Sequence, residues 1–238
     1  MASLRTRRCS EKVSERVEPL PIEAARLVGD PHPLAQQLSS PSALARFTPA
    51  TDTLPAAVCD LPSLRGFVTW YRTEILTPAE LPAIRKAFDH ASRYEVRELL
   101  ALDATLAGEP RLQPFALASQ AVGRSQLWRL LPMRDQRLVR RYWNALEAGS
   151  AHGWHVLIYG VVLAVFSLPL RQGLLNYGRQ TIAGFVDSAA RTRDLAPADC
   201  ARLLEEESAA VRTATEFALG PGKPRLAICA PTNGCGHA

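Results

Sequence analysis

From Val156 to Phe166 the chain is apolar on every side. A helix of that composition has no face to offer water, so it must be buried. The chain then turns at Ser167-Leu168-Pro169-Leu170 and continues with a helical pattern to Arg191. Leu174, Gly178, Thr181, Ile182, Phe185 and Ala189 recur at the spacing of one helix face. Asn176, Arg179, Gln180, Asp187 and Arg191 gather on the other, with Asp187 and Arg191 spaced for an i,i+4 ion pair. The stretch from Gly153 to Arg191 reads as the buried central hairpin of an all-helical domain, with the rest packed around it.

Helix signals surround it. Asp60 can cap a helix running through Leu64, Phe67, Val68, Tyr71 and Ile75 to about Leu76. Thr77-Pro78-Ala79-Glu80 has the form of a fresh start, predicting a helix over 78–90. A further helix is expected from about Ser92 through Leu106, with Tyr94, Leu99 and Leu102 among its apolar positions. Others are expected from Pro114 to Leu131, from Asp135 to Ala148 with Gly149 as its stop, and from Ala196-Pro197 to about Leu219. A helical turn or two is also expected at Ile22–Val28 and Leu34–Leu38. Alternating β-type runs are absent, so the fold class is all-α: a single-domain bundle of about seven to nine helices. Residues 1–20 read as a flexible arm, 21–219 as the domain, and 220–238, rich in Gly and Pro, as a flexible tail.

With 47% hydrophobic but only 7% aromatic residues, Ala and Leu must fill most of the core. The net charge of +5 is concentrated near Arg5, Arg7 and Arg8 rather than on one helix, and no basic face interleaved with aromatics is evident, so nucleic acid is not an expected partner. The five cysteines are scattered, and Met1–Arg8 leads into charged residues rather than an apolar signal segment. Free thiols in a reducing cytoplasm are therefore expected. Val156–Leu170 is short for a membrane span, which needs about 20 apolar residues, and it contains Pro169.

Catalytic and metal motifs do not assemble. Gly220-Pro221-Gly222-Lys223 is not a phosphate loop, because Phe217 and Pro224 stand where Gly and Ser/Thr are required. There is no Gly-x-Ser-x-Gly element. Glu205-Glu206-Glu207 reads as a solvated helix face. His152 and His155, three residues apart, have no third ligand near in sequence, which favours capping or packing. Cys229, Cys235 and His237 are the candidate soft-metal ligands, short of the about four that a closed Ni or Zn site needs. These residues describe an interaction protein and not an enzyme: a helical adaptor, or a metal-binding protein working through its tail.

Several phrases in order add to this. Ser42-Ala43-Leu44-Ala45-Arg46-Phe47 stands at an early position, followed by Ala91-Ser92-Arg93 with Arg97-Glu98-Leu99. Gln120-Ala121-Val122-Gly123-Arg124 comes next, then the His155-to-Gly160 spacing, Tyr177, and Ser188-Ala189-Ala190-Arg191. Over about residues 34–215 the chain resembles the UreF family of urease accessory proteins. It departs from that family's glycine-rich early motif, with Pro55 about where the family has Glu, and lacks both Gln of the segment that becomes Asp194–Ala201 here.

The resemblance implies a chaperone without a reaction or cofactor of its own. Such proteins bridge UreD (also called UreH) and the GTPase UreG, dock on apo-urease and help deliver nickel, which the complex rather than this chain handles. It also implies a homodimer and a tail that orders on UreD. Arg191 is the expected contact on the GTPase side, with Arg124, Gln120, Arg179 and Tyr177 as further partner-binding candidates.

Overall fold

The computed structural model describes residues 58–131 and 137–220. The expectations for the N-terminal arm, the early motif and the tail, including Cys229, Cys235 and His237, fall outside them. The described residues are helices and turns with no strand, as an all-α chain requires.

Helix α1 (Leu61–Tyr71) starts where Asp60 closes a capping box. The Ser63 N–H donates to the Asp60 carboxylate at 2.9 Å, and the Asp60 N–H to the Ser63 hydroxyl at 3.0 Å. The chain does not then stop and restart at Thr77-Pro78. It widens into a π-helical stretch, Arg72–Glu80, and runs straight on as α2 (Leu81–Ser92). Pro78 brings no N–H, and its ring would strike a carbonyl of a tighter helix. The wider turn relieves both, and the Thr77 hydroxyl donates to the Arg72 carbonyl at 2.7 Å. Leu76, Ala79 and Leu81 are buried throughout, which holds this stretch against the core despite its start signal.

Helix α2 ends in a Schellman cap. The Glu95 N–H reaches the His90 carbonyl and the Tyr94 N–H the Ala91 carbonyl, with Tyr94 left-handed at φ 58°. The next helix, α3 (Val96–Ala107), therefore begins later than the sequence indicates, and Tyr94 is exposed instead of apolar core. A short 3₁₀ turn at Gln113–Phe115 leads into α4 (Ala116–Leu130). Then come α5 (Arg137–Glu147), α6 (His155–Val165), α7 (Leu170–Arg193) and α8 (Pro197–Leu219). Gly149, at φ 73°, ends α5 as expected. The predicted α8 boundaries also hold, although Phe217 points outward at 75% exposure.

Helix α6 is buried from His155 to Leu163, and α7 follows it after the turn at Ser167. The two do not lie together along their length as a simple hairpin would. Helix α6 packs chiefly on α2 and α4, while α7 pairs with α8. Glycines decide this. A Cβ on Gly160 would sit 2.5 Å from the Ile84 carbonyl oxygen and 2.8 Å from the Ala87 Cβ of α2. A Cβ on Gly123 of α4 would sit 2.0 Å from the Gly153 carbonyl oxygen, just before α6. Only hydrogen fits at either crossing. Where α1 meets α7 the few aromatics concentrate: the Phe185 ring stands 4.9 Å from Phe67 and 4.8 Å from Tyr71, both edge-on.

Candidate functional site

Inside the bundle, five polar side chains from separate elements join in one line. Ser119 of α4 lies 2.7 Å from His155 Nδ1, and His155 Nε2 lies 2.7 Å from the Tyr177 hydroxyl. Tyr177 in turn bonds Glu80, which accepts from the Tyr71 hydroxyl at 2.8 Å. Burial pushes His155 down to about 3, so its imidazole is neutral at pH 7. Burial pushes Glu80 up to about 7, opposed by the hydrogen bonds from Tyr71 and Tyr177.

One arrangement of protons satisfies every member. The Ser119 hydroxyl donates to Nδ1 and accepts from the His155 backbone N–H at 3.2 Å; Nε2–H donates to Tyr177; Tyr177 and Tyr71 donate to Glu80. The order Ser–His–Tyr–Glu has the outline of a nucleophile relay. Ser119, however, is 2% exposed and its oxygen is held on both sides, so substrate has no approach to it. The line ties α1, the π stretch, α4, α6 and α7 together. A second buried carboxylate does similar work: Asp103 of α3 accepts from the Tyr142 hydroxyl at 2.6 Å and from the His152 and Gly153 N–H groups at 2.5 and 3.0 Å.

The surface residues expected to meet a partner do not form one patch. Arg191 is exposed near the C-terminal end of α7. It lowers the Asp187 carboxyl, as their spacing expects, but burial is the larger influence and raises it. Arg179 lies about 18 Å earlier along the same helix at about 1.5 Å per residue, and on another side. Its Nε is buried without a hydrogen-bond partner among the described residues, and it lines a cavity of about 270 Å³ with Ile182, Ala183, Leu204, Glu207, Ser208 and Val211 between α7 and α8. Gln120 and Arg124 share one side of α4, Gln120 half-buried and Arg124 exposed. Tyr177 is 1% exposed and belongs to the interior line, so it offers nothing to a partner.

Two further sequence readings change. Glu207 is not solvated: it is 7% exposed, takes Arg72 Nε at 2.7 Å and the Thr69 hydroxyl at 3.3 Å, and joins α8 to the α1–π rod. His155 packs in the interior as expected, but His152 is exposed, so the two histidines do not share a site. Among the described residues no cluster of His, Cys, Asp and Glu could hold a metal ion.

Residues 58–207 match the UreF family model, well over half of the chain. The chain belongs to the UreF family. No curated protein matches it. Family membership implies an accessory role in urease maturation. The match begins just before α1 and ends within α8, so it takes in the interior polar line and both glycine crossings. No helix among the described residues is long and apolar enough to cross a membrane.

Proposed function

We propose that this UreF-family chain is a non-enzymatic chaperone of urease maturation in the cytoplasm. It bridges UreD (UreH) and the GTPase UreG on apo-urease while nickel, the cargo, is delivered to the urease active site. The carrying observation is the family match over residues 58–207. The architecture suits the role: the polar line that could be mistaken for a catalytic relay is sealed in the core, leaving the helix surfaces for partners. On this reading the chain works as a homodimer within the complex, and Arg191, exposed near the end of α7, contacts the GTPase side, while Gln120 and Arg124 on α4 and Arg179 on another side of α7 are candidates for separate partner contacts.

Co-expression with cognate UreD and UreG tests it, with a tag on this chain. Recovery of UreD, and of UreG only when UreD is present, is the expected pattern. Retention of neither by a soluble, helical chain refutes the bridging role. Within a competent complex, Arg191→Ala lowers urease activation with helicity unchanged; full activation by that variant removes Arg191 from the interface.

A further inference from the structure

Of the arginines among the described residues, six pair with carboxylates, Arg97, Arg179, Arg191, Arg193, Arg202 and Arg212 are scattered over α3, α7 and α8, and the rest lie on α4 and α5. Arg65, Arg72, Arg85, Arg93, Arg111 and Arg171 each pair with a carboxylate: Glu206, Glu207, Asp89, Glu95, Glu109 and Glu216. The helices α4 and α5 differ. Together they carry Arg124, Arg129, Arg137, Arg140 and Arg141 against the single carboxylate of Glu147, in a chain whose whole net charge is +5. Arg124, Arg137, Arg140 and Arg141 are exposed, and among the described residues none of these four has an ion-pair partner. The fold thus gathers positive charge that the sequence spreads over two helices.

The same face is apolar where it is not charged. Leu117, Ala121, Arg124 and Trp128 recur at i, i+4, i+7 and i+11, on one side of α4. They form a ridge about 16 Å long at about 1.5 Å per residue. Leu117 is 85% exposed and Trp128 62%. The Trp128 ring stands 5.5 Å from that of Trp143 on α5, which is half-buried. That contact sets the side of α5 carrying Arg140, three residues before Trp143, beside the α4 ridge. Arg137 and Arg141 continue the charge around the outer side of α5.

We infer that the α4–α5 face is a docking surface for an acidic, amphipathic segment of a protein partner. Apolar side chains of that segment pack on Leu117, Ala121 and Trp128, and its carboxylates meet Arg124 and Arg140. Charge complementarity fixes the sign of the partner: four guanidinium groups without an ion-pair partner among the described residues gain most from carboxylates, and arginine forks bind them in pairs. The ridge fixes its apolar side, and Trp128 beside exposed arginines is of the residue types enriched where protein interfaces concentrate their binding energy. A nucleic acid would use the arginines but gain nothing from Leu117 or Ala121, which offer no group to phosphate and no ring to a base. The inference rests on the urease-maturation reading for the choice of partners to test.

The full-length chain is titrated with cognate UreD, UreG, the UreD–UreG pair and apo-urease at low and high ionic strength. The unaltered chain is compared with the Arg124→Glu/Arg140→Glu double variant, with Trp128→Ser, and with Arg212→Glu as a control on an exposed position of α8. At least one component is expected to bind the unaltered chain and the control alike. It should bind both face variants at least tenfold more weakly, bind less as salt rises, and leave helicity unchanged in every variant. Equal binding of every component by the unaltered chain and the face variants overturns the docking surface while leaving the maturation role standing. Failure of the unaltered chain to bind any component defeats that role, and this surface with it. Tight binding of a single-stranded RNA probe that only the face variants lose, without any effect on the proteins, replaces the protein partner with nucleic acid.

Discussion

Placing α6 against α2 depends on Gly160, and a pair of glycine substitutions measures that dependence. In an ordinary helix Gly→Ala gains about 1 kcal/mol of intrinsic propensity. At Gly66, on α1, an added Cβ meets nothing within 4 Å, so Gly66→Ala should stabilise by about 0.5–1 kcal/mol. At Gly160 the new Cβ would lie 2.5 Å from the Ile84 carbonyl oxygen, 2.8 Å from the Ala87 Cβ and 3.0 Å from the Phe88 nitrogen. Carbon contacts want about 3.5–4 Å, so the helices must part by about 1 Å. None of the three atoms belongs to a flexible side chain that could swing away. Overpacking of this kind costs about 1–3 kcal/mol and loosens every contact along the crossing. Against the propensity gain of about 1 kcal/mol, Gly160→Ala is expected to be destabilised by up to about 2 kcal/mol, opposite in sign to Gly66→Ala. Urea unfolding followed by far-UV circular dichroism reads both variants. A Gly160→Ala protein as stable as Gly66→Ala would show that α2 and α6 are not in this contact.

Two more predictions concern the buried carboxylates. Glu80 has its pKa raised to about 7 by burial, so between about pH 4.5 and 7 the folded chain holds a proton that the unfolded chain has released. Its contribution is fully present below about pH 4.5 and is lost as pH rises through 7, by about 3 kcal/mol at about 1.4 kcal/mol per unit. The stability difference between wild type and Glu80→Gln should fall by that amount over this range, and a flat difference would refute the shift. His155, held down to about 3, acts the other way, so its contribution is lost as pH falls below about 6.5. At Asp103, removal of the carboxylate strands the Tyr142 hydroxyl and the two N–H groups before α6. Asp103→Ala should cost about 2–4 kcal/mol in the same unfolding assay, and a loss under about 0.5 kcal/mol would mean that water or another group satisfies them.

What the sequence disclosed was what local periodicity governs. The apolar run into α6, the buried face of α7, the Asp60 cap, the Gly149 stop and the limits of α8 follow from neighbours a few residues apart. Thr77-Pro78 misleads because a start signal is also local, whereas burial of Leu76, Ala79 and Leu81 is not; the π stretch is the compromise. The glycines at 123 and 160 stood in the phrases that carry the family resemblance, yet their reason is steric and emerges only once α4 and α2 are in place. Partnerships across the chain were out of reach. Nothing near Glu207 in sequence signals Arg72, and nothing near His155 signals Ser119 or Glu80. Tyr177 and Arg179, two residues apart, look alike as surface candidates until the fold buries one in the polar line and leaves the other beside a cavity. The basic face escaped notice for the same reason: Trp128 and Trp143 become neighbours only once α4 and α5 pack together.

The central claim is an accessory role in urease maturation, and the nickel content of urease tests it most directly. Urease is produced with its cognate accessory proteins, with and without this chain, purified, and assayed for bound nickel and activity. Nickel-poor, inactive urease is expected in its absence, with nickel content and activity both restored when it is supplied. Fully nickel-loaded, active urease without this chain, under nickel-limited conditions, would contradict the accessory role.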